Sequence, residues 1–198
     1  VVEPGEVGVV YSASRSNHPS EKPMKKTLLL VGLLAASGLS QAGNLSLGAG
    51  NDFTTLSRTP NGFGIGFTAD YLNNKHGNDS ASLGVEFAVP AGPLTVAAGA
   101  KAIYVDADGY GTAAALGGRA ALDLGNDLSL FGQGYFAPSG AASGSIREVN
   151  DVNAGLRWNP VPLFTVEAGY RYFDVKREDS QRNRTLADGP YLGVGLQF

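Results

Sequence analysis

From Phe63 to Phe198 the sequence alternates with a period of two, an apolar residue followed by a small or polar one, through eight successive segments. Side chains on a strand point alternately to opposite faces, so this pattern belongs to strands that each separate two environments. The segments are 62–72, 82–89, 94–105, 110–124, 128–137, 150–158, 163–176 and 189–198. One face is apolar throughout, as with Leu83, Val85, Phe87 and Val89, or Val152, Ala154, Leu156 and Trp158. The opposite faces carry Ser82, Gly84 and Glu86, or Asp151, Asn153, Gly155 and Arg157. The connections alternate as well. Residues 90–93 (PAGP), 125–127 (GND) and 159–162 (NPVP) make tight turns, whereas 73–81, 106–109, 138–149 and 177–188 are mostly longer and more polar. Short turns at one end and long loops at the other are the pattern of an outer-membrane barrel with its turns in the periplasm.

Alternation is common to soluble and membrane barrels, so the composition of the two faces has to decide. Charged residues make up 17% of the chain, against a usual share of about 25%, and there are 28 glycines. A water-facing strand face would carry many Lys and Glu. Here the polar face holds one or two charges per strand and many glycines, which suits a crowded interior where a missing side chain makes room for a neighbouring Arg or Tyr. The apolar face is free of charge until the strand tips, as contact with lipid requires. Aromatic residues gather near the strand ends: Tyr71, Tyr104, Tyr110, Phe136 and Tyr172 toward the loops, Phe63, Trp158, Phe164 and Phe198 toward the turns. Two such girdles mark the membrane interfaces. The expected fold is therefore all-β, an antiparallel up-and-down transmembrane barrel of eight strands. Residues 43–60 (GNLSLGAGNDFTTLSRTP) alternate only weakly; a hairpin there would make the count ten.

Upstream, Met24 is followed by Lys25, Lys26, the apolar run TLLLVGLLAA and the small-residue stretch SGLSQA. A positive start, a ten-residue apolar region and a small-residue exit describe a secretory signal peptide over 24–42. Residues 1–23 lack periodicity and read as an extension preceding the natural start, which leaves 43–198 as the barrel. The chain has no cysteine, excluding disulfides and thiolate chemistry. A net charge of −3 offers no basic patch for nucleic acid.

The sequence closes on YLGVGLQF, with Tyr191, Leu192, Val194, Leu196 and Phe198 forming an alternating apolar signature. This resembles the signal by which the barrel assembly machinery of the outer membrane reads its clients. Together with LLAASGLSQA, VEAGYRYFDV (166–175) and DGPYLGVGLQF (188–198), it makes the chain similar to the YfaZ family of small predicted outer-membrane proteins. The resemblance implies location and fold, and brings no catalytic residue or substrate with it.

Function then rests on the inward charges: Asp70, Glu86, Lys101, Arg119, Asp123, Asp151, Arg157, Glu167 and Arg171. Counted from the turns, Glu86, Arg119, Gln133 and Glu167 fall near one depth, so Arg119 is expected to pair with Glu86 or Glu167. Buried charges need partners, and mixed signs at one level supply them. The main expectation is a monomeric barrel of structural or interaction type with a side-chain-filled polar lumen, no cofactor and no metal. The alternative is a narrow porin-like path for small solutes. A lipid-modifying enzyme is a further alternative, because His76, Asp79, Ser80 and Ser82 cluster in the first long loop; however, NNKHGNDSA offers little rigidity for a nucleophile and its base. Lys176, Arg177, Arg182 and Arg184 near the last loop could meet lipopolysaccharide phosphates, for which the arginine fork is suited.

Overall fold

The computed structural model describes residues 42–107, 109–177 and 183–198. The signal peptide expected over 24–42, apart from Ala42, the extension expected over 1–23, and Arg182 lie outside the described residues. The strands, in chain order, are β1 (Gly43–Gly50), β2 (Phe53–Pro60), β3 (Gly64–Asn74), β4 (Asp79–Ala91), β5 (Leu94–Asp106) and β6 (Tyr110–Gly125). They continue with β7 (Leu128–Ala137), β8 (Ala142–Gly144), β9 (Ile146–Val161), β10 (Phe164–Arg177) and β11 (Arg184–Gln197). Each long strand pairs antiparallel with its chain neighbours, β7 pairs directly with β9, and β11 returns to β1. The result is a closed ring of ten strands. The three-residue β8 stands outside it, bonded to the loop end of β6.

The ring corrects the main count of eight, and the weakly alternating residues 43–60 supply the missing hairpin. Two features hid it. In β1 only Leu45, Leu47 and Ala49 point outward, alternating with Asn44, Ser46 and Gly48. In β2 the polarity is inverted: Phe53 is buried inside, while Arg58 lies opposite Leu45 and Ala69 on the outward parity. Arg58 there donates from Nη1 to the Phe67 carbonyl at 2.8 Å.

From β3 onward the two faces are those expected. Leu83, Leu116, Phe67 and Leu192 are among the most exposed residues, as side chains touching lipid must be. Phe63, Trp158 and Phe164 stand exposed at the turn end, with Tyr104, Tyr110 and Tyr172 toward the loop end. The turn 125–127 carries positive φ at Asn126 (54°) and Asp127 (60°). Two consecutive positive values give the hairpin twist that matches the strands it joins.

A ten-stranded barrel is wider than one of eight, whose interior ordinary side chains just fill. Long side chains therefore have to reach across. Tyr191 of β11 instead lies along the wall, between glycines of its two neighbouring strands: a Cβ on Gly48 would sit 2.8 Å from its ring and one on Gly169 would sit 2.9 Å away. The ring also meets Phe53 edge-on, with centroids 6.3 Å apart, so it has nowhere to retreat. Gly48→Val is expected to cost about 1–3 kcal/mol, the usual penalty of overpacking, read by urea titration of the refolded barrel.

Candidate functional site: the lumen

The inward residues form two layers of different chemistry. The half nearest the loops is mostly apolar, with Ser80 and Asn74 buried in it. Leu72, Ile103, Val105, Val149, Phe173, Val175 and Leu186 come together there, each almost without exposure. This apolar half is a departure from the wholly polar lumen read from sequence. Its signal was present: near the loops the strands become apolar on both faces, as in Ala102–Val105 (AIYV), which is how a strand buried on two sides reads.

Below this layer lie four ion pairs. Lys101 Nζ stands 2.6 Å from Asp70 Oδ2, with Ser82 donating to the same oxygen. Arg171 reaches Asp151 with two nitrogens and crosses to Thr55 Oγ1 at 2.7 Å. Arg119 Nε is 2.7 Å from Glu86 Oε2, and its Nη2 donates to the Pro60 carbonyl on β2. Tyr135 donates to the other oxygen of Glu86. Arg157 meets Glu167 at 2.7 Å nearer the turns. Lys101 also lies 4.1 Å from the centre of the Tyr135 ring. These contacts join β4 to β6 and β7, and β2 to β6 and β10, so they brace the barrel across its width.

All the charges expected in the lumen are therefore there, and paired, except Asp123. It follows the inward parity but stands exposed at the rim, two residues from a turn whose Gly125 amide donates to its Oδ1. Depth, not parity, removes it from the network. Of Arg119's two expected partners the structure selects Glu86, because Glu167 is held by Arg157 on the adjacent strand. Sequence reasoning missed Thr55, whose strand was not recognised. Tyr135, on the inward parity of β7, is a further partner, and an inward tyrosine near the depth of a glutamate is the sequence clue to it.

In the first long loop, His76 Nδ1 bonds Asn74 Oδ1 at 2.7 Å. Ser80 is buried, and Ser82 faces the lumen to bond Asp70. At the loop end Lys176 pairs with Glu148 at 2.6 Å on the outside of the barrel, while Arg177 and Arg184 are half-buried. In β11, Leu192, Val194 and Leu196 are exposed on the lipid face and Tyr191 is turned inward; Phe198, just after the strand, is exposed as well. Among the described residues no group of three or more His, Cys, Asp or Glu could hold a metal ion.

The chain matches, over residues 24–198, the family described as YfaZ precursor. It is 34% identical over 184 residues to the outer membrane protein YfaZ of Escherichia coli (strain K12), covering 88% of this chain and 100% of that protein. Among solved structures, the NanC porin in a rhombohedral crystal form aligns with a TM-score of 0.44 at 10% identity, over 80% of this chain and 98% of that one. The KdgM porin in complex with disordered oligogalacturonate gives a TM-score of 0.44 at 11% identity, over 79% and 99%.

Proposed function

The chain belongs to the YfaZ family and is an outer-membrane β-barrel protein, and from that membership we propose that it works as a closed barrel of structural or interaction type. The observation that carries this reading is the apolar layer across the loop half of the lumen. Leu186 and Val149 are fully buried there and Ile103 and Val175 nearly so, and no ion or polar solute crosses such a layer without losing its hydration. The ion pairs beneath it brace the wall rather than line a path.

Planar-bilayer recording of refolded protein beginning at Gly43 tests the reading. We expect silence from protein that migrates on gels as a folded, heat-modifiable band. Reproducible stepwise openings would reverse it in favour of the second reading, a narrow passage for small solutes. What favours that second reading is a polar cavity of about 30 Å³ in the turn half of the lumen.

We propose no catalytic role, since Ser82 faces the lumen, where it donates to Asp70, and Ser80 is buried. As partners we propose the barrel assembly machinery during insertion and lipopolysaccharide afterwards, with Lys176, which stands on the outside of the barrel at its loop end, at its phosphates and the barrel a monomer. Lys176→Gln is expected to weaken lipopolysaccharide retention on native gels severalfold, as loss of a charge-assisted contact should; unchanged retention would remove this residue from that role.

A further inference from the structure

The lipid face of the barrel carries a broad depression of about 590 Å³ at mid-height, across β5, β6, β7 and β9. Its floor is two rows of mostly small residues. One runs from Ala98 through Gly118 and Gly134 to Val152, the other from Val96 through Ala120 and Gly132 to Ala154. Leu116 and Phe136 form a ridge along one side, with Leu122, Leu130 and Leu156 in line along the other. We propose that this groove holds an acyl chain of the lipopolysaccharide molecule whose phosphate meets Lys176. The proposal rests on the lipopolysaccharide contact of that lysine.

Two glycines point to an occupant from outside the chain. Neither Gly132 nor Gly134 has a positive φ. A Cβ on Gly134 would meet nothing within 4 Å, and one on Gly132 would come no nearer than 3.9 Å to a neighbour. Gly118 differs, because a Cβ there would sit 2.1 Å from the Ala97 carbonyl oxygen. The chain itself therefore requires Gly118, but not the other two. Glycine weakens a strand interior, and in one it often marks close approach of a ligand or another backbone. No part of this chain approaches Gly132 and Gly134, so the neighbour is external. The bilayer core offers no water to fill the depression. Hydrocarbon seated in it gains the dispersion contacts that a void forfeits.

The direction of the groove selects the lipid. Toward the turns the first row runs into Phe87, whose ring meets Phe63 at 5.7 Å, and the second into Val89. Large side chains close that end. Toward the loops Val152 leads to Tyr172 and Ala154 to Tyr170, both on β10. The Tyr170 hydroxyl donates to Asp188 on β11, on the side away from the groove. Lys176 stands on the outside of the barrel four residues beyond Tyr172, about 13 Å along the strand. A lipid with its phosphate at Lys176 and its hydrocarbon below the tyrosines enters the groove from the loop side, the leaflet of lipopolysaccharide. A phospholipid of the other leaflet would have to pass Phe63 and Phe87.

Retention of lipopolysaccharide by the full refolded barrel on native gels tests the groove. Gly132→Leu and Gly134→Leu each fill it without striking the chain. Ala168→Leu, exposed beside Leu156 and outside the groove, controls for added bulk on the lipid face. Only variants giving the heat-modifiable folded band are used, and two groove positions guard against one failing to fold. Both groove variants are expected to retain severalfold less lipopolysaccharide, with Ala168→Leu like the parent. Lipopolysaccharide stripped of its acyl chains should bind parent and groove variants equally. An excess of phosphatidylglycerol vesicles should not displace the intact molecule from the parent. Groove variants that retain as much as the parent would overturn the proposal, and Lys176→Gln reports separately on the phosphate contact. Displacement by phosphatidylglycerol would overturn the assignment to lipopolysaccharide. A high yield of disulfide between barrels in Gly134→Cys, in a chain with no native cysteine, would put a second copy in the groove and overturn it as well. Weaker retention in the groove variants with Lys176→Gln unchanged would uphold the groove and remove the lysine.

Discussion

Replacing Arg119 with alanine is expected to lower the unfolding free energy of the barrel by about 3–5 kcal/mol, the usual consequence of removing one member of a buried ion pair. Glu86 is 1% exposed, and its two carboxylate oxygens are divided between Arg119 and Tyr135. Without the arginine its charge keeps one hydroxyl donor and nothing to neutralise it. The Pro60 carbonyl across the lumen loses its donor as well. Urea titration in vesicles, followed by the fluorescence of Trp158, the single tryptophan, gives the measurement. Adding Glu86→Gln should return most of the loss, since the amide can still accept from Tyr135 and no charge is stranded. The apolar layer is untouched in both variants, so neither should conduct. A cost under about 1 kcal/mol, the scale of a solvated pair, would mean that water already fills this part of the lumen.

The neighbouring position gives the second large effect. Ala120 is exposed, opposite Val96 on one side and Gly132 on the other. One residue along a strand reverses the face, so Ala120→Arg carries the same charge from the lumen to the hydrocarbon. Near the midplane the cost is about 2–4 kcal/mol. The variant should show a reduced folded band after refolding into vesicles and a lower urea midpoint. Folding as efficient as the parent's would mean that the inward and outward faces have been assigned the wrong way round.

How much of this was legible from sequence can be traced residue by residue. Where one face meets lipid and the other a packed polar interior, parity alone locates every side chain, and Leu83, Glu86, Arg119 and Ala120 fall as the alternation says. Parity fails where a strand breaks the chemistry of its faces. Phe53 inward and Arg58 outward make β2 unreadable by hydropathy, although its register with β3 is regular. Parity also says nothing about distance around the ring. That Glu86 meets Arg119 and Tyr135, two and three strands away, depends on curvature and strand number, and the count was the uncertain quantity. Asp123 shows the remaining limit: its parity is right, but it lies beyond the packed interior.

The seam of the barrel has a consequence for how the molecule comes together. Gly43 and Phe198 exchange two backbone hydrogen bonds, 2.8 and 3.0 Å long, between the amide of each and the carbonyl of the other. Every other joint of the ring links strands that follow closely in the chain, so each can form as a local hairpin. The seam joins segments separated by the whole barrel. Loop-closure entropy rises by only about 0.6 kcal/mol for each doubling of length, so this contact is affordable in equilibrium terms yet slow to find. The ring therefore closes last, and until it does β1 and β11 present two open edges. Tethering Gly43 to Phe198 and opening the chain between β5 and β6 would move the long-range joint from β1–β11 to β5–β6 without moving a side chain of the lumen.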